Sequence, residues 1–147
     1  MDWKNTFRRT NGYIKTPAVF TVKYHPPRGG QAVTAYGVYR FLKGDARMRI
    51  GTTPTHTFTI PINADIVKVV EVTYCQSGKI VLQKHTDDCV LEGNRISTTL
   101  TQEDTFRFDD KTNVEIQVRV LDLAGAVFAS NIMCVDAERC LSKDVLV

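Results

Sequence analysis

Val114-Glu115-Ile116-Gln117-Val118-Arg119-Val120 alternates without a break. Val114, Ile116, Val118 and Val120 take one face, and Glu115, Gln117 and Arg119 the other. That is the two-residue period of a strand with one side in a core and one in water. Moving toward the C-terminus, Leu121-Asp122-Leu123-Ala124-Gly125 reads as a turn and residues 126–135 as the last long strand. The tail after it mixes charge with Leu141, Val145, Leu146 and Val147. Moving toward the N-terminus, Thr101-Gln102-Glu103-Asp104 fits a helical turn capped by Thr101 with Asp104 three residues on. Residues 89–91 and 95–100 flank Glu92-Gly93-Asn94 as a hairpin. Gln76-Ser77-Gly78-Lys79 turns between residues 66–74 and 79–84. The first of these two strands slips its apolar phase around Val69-Val70, which suggests a bulge. Thr55-His56-Thr57-Phe58-Thr59-Ile60 alternates again, with His56, Phe58 and Ile60 on one face and threonines on the other. Pro61 then ends the run or places it at a sheet edge.

These signals give about seven short strands between residues 48 and 147, with a turn every eight to twelve residues. No amphipathic helix of ten residues is present to carry a parallel crossover. The pattern predicts an all-β fold, an antiparallel immunoglobulin-like β-sandwich. An SH3-like or oligonucleotide-binding barrel is the alternative. The buried Trp and paired cysteines of antibody domains are missing, since the only Trp is Trp3. The expected core is Phe58, Ile60, Val70, Val72, Ile80, Leu82, Leu100, Val114, Ile116, Val118, Val120, Phe128 and Ile132.

Residues 1–47 read differently. They hold nine Lys/Arg and two Asp/Glu, a net +7, whereas residues 48–147 hold ten and fourteen, a net −4. Aromatics such as Trp3, Phe7 and Tyr13 are interspersed with glycines and prolines. Only residues 18–24 and 32–42 read as strand candidates, with His25-Pro26-Pro27-Arg28-Gly29-Gly30 as a turn between them. The chain thus divides into a basic, poorly structured or weakly packed extension over 1–47 and a β domain over 48–147. Over all 147 residues, 43% are hydrophobic and 24% charged, which excludes wholesale disorder. No apolar run approaches the length of a membrane span, and the N-terminus lacks the apolar segment of a secretory signal.

Chemistry-bearing residues are sparse. Cys75, Cys89, Cys134 and Cys140 lack the close pairing that grips zinc. Thiols are expected rather than a disulfide from Cys75 or Cys89 to Cys134, with Cys75 and Cys134 filling the core as small hydrophobes. Cys89 with His85 and Asp87 or Asp88 has the residue types of a nucleophile, base and orienting acid, but His85-Thr86-Asp87-Asp88 reads as a polar connection. The carboxylates at Asp87-Asp88, Glu103-Asp104 and Asp109-Asp110 lie in turn-like stretches beside Lys84, Arg107 and Lys111. Asp109-Asp110-Lys111-Thr112-Asn113 suggests a calcium loop only faintly. Gly29-Gly30 is not followed by the Gly-Lys-Ser/Thr of a phosphate loop. The expectation is therefore no catalytic residue, no cofactor and no metal.

Met48-Arg49-Ile50-Gly51-Thr52-Thr53-Pro54-Thr55-His56-Thr57-Phe58-Thr59-Ile60 resembles the opening of small, largely uncharacterised proteins of phages and prophages of Gram-positive bacteria. The resemblance continues through Val69-Val70-Glu71-Val72-Thr73-Tyr74, Leu91-Glu92-Gly93-Asn94, Leu100-Thr101-Gln102-Glu103-Asp104-Thr105 and the 114–120 strand. It implies a stand-alone β-sandwich, virion- or tail-associated, located in the host cytoplasm during assembly and not secreted by a signal peptide. It supplies no catalytic residues. Those proteins start at the equivalent of Met48. Lys43-Gly44 upstream can be encoded by a purine-rich run like a ribosome-binding site, so residues 1–47 are expected to be upstream sequence or a fusion.

The expected function is a non-enzymatic structural or assembly module of a phage particle. It would contact protein subunits, or itself, through β-sheet surfaces and not a membrane. Thr55, Thr57, Phe58, Thr59 and Ile60 are the candidate interaction edge. A glycan- or cell-surface-binding module is one alternative, disfavoured by the few aromatics after Met48. Nucleic-acid binding through the basic extension is another, disfavoured because its charges are scattered.

Overall fold

The computed structural model describes residues 47–147, together with the backbone of five short strands ahead of them. These are β1 (Arg9–Thr10), β2 (Tyr13–Ile14), β3 (Val19–Phe20), β4 (Lys23–His25) and β5 (Val33–Thr34). β3, β4 and β5 fall at the two strand candidates read in the extension. The other residues of 1–46 lie outside the described residues, and with them the reading of that segment as poorly structured.

The strand read first, β12 (Val114–Asp122), is the centre of the larger sheet. Its alternation is as expected: the four valine and isoleucine side chains of 114–120 are buried and their neighbours face out. β8 (Val67–Gln76) pairs antiparallel along one side of β12, and β9 (Lys79–His85) pairs with β8. On the other side β12 meets two strands in succession, β13 (Val127–Ser130) and β14 (Met133–Glu138). β6 (Arg47–Arg49) runs parallel to β14, and β3 parallel to β13. The smaller sheet has the order β10 (Cys89–Glu92), β11 (Arg95–Thr99), β7 (Thr55–Thr59), β4, β5. One short helix, α1 (Gln102–Phe106), links β11 to β12. It carries the expected capping box: Asp104 N–H donates to Thr101 Oγ1 (3.0 Å) and Thr101 N–H to Asp104 Oδ2 (2.9 Å).

The chain is therefore an all-β sandwich. From β7 to β14 its strands follow the immunoglobulin order, with β7, β11 and β10 on one sheet and β9, β8, β12 and β14 on the other. One core cluster joins both sheets, with Phe58, Ile60, Ile96 and Leu100 from the smaller and Val72, Tyr74, Ile116, Val118 and Val135 from the larger. The Ser77-Gly78 turn has φ of 51° and 77°, the left-handed pair that a two-residue hairpin needs.

Eleven of the thirteen expected core residues are buried. Ile80 and Ile132 are not: they are 62% and 41% exposed. Both sit next to a register shift. Opposite Tyr74 and Cys75 the partners are Leu82 and Ile80, so Val81 is the extra residue of a bulge. Each extra residue inverts the side that its neighbours face. Ile80 consequently shares the outer side with Cys75. In the same way, Arg119 opposes Ala129 but Ile116 opposes Met133, so three residues of one strand face two of the other. Phe128 and Ser130 point inward before this bulge; Met133 and Val135 do so after it, and Ile132 is turned out. The expected long strand over 126–135 is thus broken at Asn131-Ile132. A third shift, expected at Val69-Val70, falls one residue earlier, where Lys68 has no partner between Leu121 and Asp122.

Candidate functional site

The sequence singled out Thr55, Thr57, Phe58, Thr59 and Ile60 as an interaction edge. Strand alternation separates them. Phe58 and Ile60 are wholly within the core. Thr55, Thr57 and Thr59 face out, where Thr55 and Thr99 hydroxyls lie 2.7 Å apart and Thr57 and Ser97 hydroxyls 3.0 Å apart. Neither backbone edge along Thr57–Thr59 is open. β11 pairs with β7 on one side, and on the other Lys23, Tyr24 and His25 of β4 stand opposite Thr59, Phe58 and Thr57. β7 is an internal strand here, because a piece of the extension supplies the neighbour that the sequence reading left out.

The constellation around Cys89 is likewise dispersed. His85 starts a single 3₁₀ turn over Thr86–Asp88; its N–H donates to Asp88 Oδ2 (3.0 Å). Its Nε2 lies 4.0 Å from Glu71 Oε2. Burial pushes the Cys89 thiol up; the Thr98 hydroxyl and Lys84 act against this, and the Asp88 charge adds to it. A raised thiol is the reverse of what a nucleophile needs. Asp104 is occupied as well. Burial raises its carboxyl, but the Lys84 ammonium at 2.8 Å and the Thr101 N–H outweigh that and hold it below the usual carboxylate range. The Asp109 carboxylate accepts Lys111 N–H at 2.9 Å. Among the described residues no group of three or more His, Cys, Asp or Glu could hold a metal ion. No helix among them is long and apolar enough to cross a membrane.

Cys75 and Cys134 need a correction. They are half-buried on the outer face of the larger sheet, not in the core, and each pairs across a strand with Glu115. None of the four cysteines is in a disulfide. One strand between Cys75 and Cys134 sets their backbones about 9–10 Å apart, beyond the roughly 7 Å that a disulfide spans.

That outer face is divided into distinct chemical rows. Its cross-strand rows follow from the register. Cys134, Glu115, Cys75 and Ile80 form one row. The next is polar: Gln117 donates through Nε2 to the Ser130 carbonyl (2.9 Å), and Gln83 donates through Nε2 to Thr73 Oγ1 (3.2 Å). Arg119, Glu71 and His85 form a charged row, with Arg119 Nε 3.0 Å from Glu71 Oε1. The last is apolar: Val127, Leu121 and Val69. Beside it Leu123 N–H donates to the Ile66 carbonyl (2.8 Å), bringing two more exposed apolar side chains to that corner. Leu123 is 66% exposed and Val127 53%, and Ile66 and Val69 are also exposed. The sequence reading missed this corner. Alternation with Val70 and Val72 turns Val69 outward, but its meeting with Leu121, Val127, Leu123 and Ile66 depends on pairings between distant strands that no local pattern records.

Comparison with protein-family models and with curated proteins finds no match to the chain.

Proposed function

We propose that this chain is a non-enzymatic interaction module of a phage or prophage particle, contacting a neighbouring protein subunit through the outer face of its larger sheet. The observation that carries the reading is the apolar corner formed by Ile66, Val69, Leu121, Leu123 and Val127, bordered by the Arg119–Glu71–His85 row. An exposed apolar patch with a polar rim is the anatomy of a protein contact. The corner has no aromatic side chain, and sugar platforms are commonly aromatic. Arg119, in the row beside the corner, is already paired with Glu71, which leaves Lys68 as a single exposed cation there, whereas a phosphate-binding surface needs several cations available to phosphate. Phage membership is supported by the resemblance of residues 48–60 and the later segments. The interaction surface moves from the β7 edge to this sheet face because the edge is paired.

Leu123→Lys and Val127→Asp test it, since both positions are exposed and their charges leave the core untouched. Co-sedimentation with particles from the natural host is expected for the parent chain. Each variant should lose it while keeping the parent's melting temperature. Equal co-sedimentation of both variants, or none by the parent chain, would overturn the reading.

A further inference from the structure

The end of the sandwich that carries α1 holds a cleft of about 480 Å³. Its apolar surface comes from Ile50, Phe106, Phe108 and Leu141, and its rim carries Arg107, Arg139 and Lys143. Two features fix this arrangement. Gly51 has φ +83°, and a Cβ there would stand 2.9 Å from Phe106 Cζ and 3.2 Å from Cys140 Sγ. The bare glycine therefore lets the Phe106 ring and the Cys140 thiol, which also lines the cleft, settle against the backbone. Buried polar side chains then clamp the walls. Thr105 Oγ1 accepts Gly51 N–H (2.9 Å) and donates to the Thr52 carbonyl (2.9 Å). Gln76 donates through Nε2 to the carbonyls of Asp109 (2.7 Å) and Thr112 (3.1 Å) and accepts Asp109 N–H (2.8 Å). The cleft is preformed, so little ordering is lost when a ligand enters.

The charges indicate what enters. Among the described residues, none of Arg107, Arg139 and Lys143 has an ion-pair partner. The two carboxylates at the cleft, Asp109 and Asp110, leave the rim net positive, and Asp109 is already held by Lys111 N–H. Cations around an apolar floor suit a ligand that is apolar at one end and anionic at the other. We propose that the cleft binds a small amphiphilic carboxylate. The apolar body lies on Ile50, Phe106 and Phe108, and Arg107, Arg139 and Lys143 hold the carboxylate. This assignment is separate from the sheet face proposed as the protein contact.

Decanoate is the probe, titrated calorimetrically into the full chain. Saturable one-to-one binding is expected. Decanol lacks the charge and acetate lacks the apolar body, so each should bind at least about tenfold more weakly. The double variant Arg139→Glu, Lys143→Glu changes only exposed side chains and should also lose at least about tenfold. Lys68→Glu with Arg95→Glu, away from the cleft, should bind as the parent does. Decanoate should protect Cys140, and not Cys89, from alkylation by iodoacetamide, read peptide by peptide by mass spectrometry. Absence of saturable binding at millimolar decanoate would overturn the proposal. So would equal binding by the charge-reversed cleft, or unchanged alkylation of Cys140.

Discussion

His56 is the residue whose sequence reading and structural role lie closest together. Alternation places it on the inward face of β7 beside Phe58, and it is fully buried there. Its Nδ1 is 2.7 Å from the Tyr74 hydroxyl, and the two rings lie 5.5 Å apart. The sequence could not supply Tyr74 as the partner, because that contact crosses from one sheet to the other. Burial lowers the His56 pKa from about 6.5 to about 4. The imidazole is therefore neutral in the fold and binds a proton more readily once unfolded. For a base with a depressed folded pKa, stability is complete above the unfolded value and is lost as pH falls toward the folded one. The window runs from about pH 6.5 down to about 4. The loss across it is on the order of 3 kcal/mol at 1.36 kcal/mol per unit. Urea unfolding as a function of pH should show this fall, and an NMR titration should place the His56 midpoint near the lower bound. A midpoint above pH 6 would mean that the ring is not held neutral by the core.

At the scale of elements, the sequence was legible wherever a strand kept its period and misleading wherever one residue was added. β12 keeps strict alternation, and every side chain of 114–120 faces the expected way. β9 and the β13–β14 pair each contain an extra residue, and each turned one expected core isoleucine to the surface. Nothing in the residue types announces the second bulge except Ser130 and Asn131, a buried polar pair inside an apolar run. Ser130 is what makes that bulge affordable to the ladder. Its hydroxyl accepts Val118 N–H (2.9 Å) and donates to the Asn131 carbonyl (2.8 Å), replacing bonds the missing pairing would have made. Ser130→Ala leaves a buried N–H without its acceptor, so a loss of about 1–3 kcal/mol is expected. Faster hydrogen exchange at the Val118 amide should accompany it. By contrast, Ile80→Ala and Ile132→Ala should stay within roughly 0.5 kcal/mol as surface changes, against about 2–4 kcal/mol for Ile116→Ala in the core. If Ile132→Ala proved as costly as Ile116→Ala, the parity inversion would be wrong.

For the whole molecule, composition changes sign near Met48, and strand pairing runs across that change. Met48 itself is buried, in β6 opposite Ala137, and belongs to the core cluster. The +7 segment ahead of it joins this unit by strand pairing: β3 runs beside β13, and β4 covers β7. Composition distinguishes the two pieces, but pairing between distant backbones leaves no mark on it, and so the edge expected at Thr55–Ile60 was legible as a strand but not as a covered one. A chain of residues 48–147 separates these contributions. It retains the core cluster of the described residues; it loses the pairing of β3 and β4 with the sandwich and, at Arg47, an exposed ion pair with Glu138 at 3.6 Å, a kind worth about 0–1 kcal/mol. Cooperative thermal unfolding is therefore expected. Removing β4 also bares the backbone edge of β7, and an unpaired edge is a template for another chain. Sedimentation should show the shortened chain associating with rising concentration where the full chain does not. A shortened chain without a cooperative transition would show that the extension is part of the fold. One that unfolds cooperatively yet stays monomeric throughout would show that β4 does not act as the cover of β7.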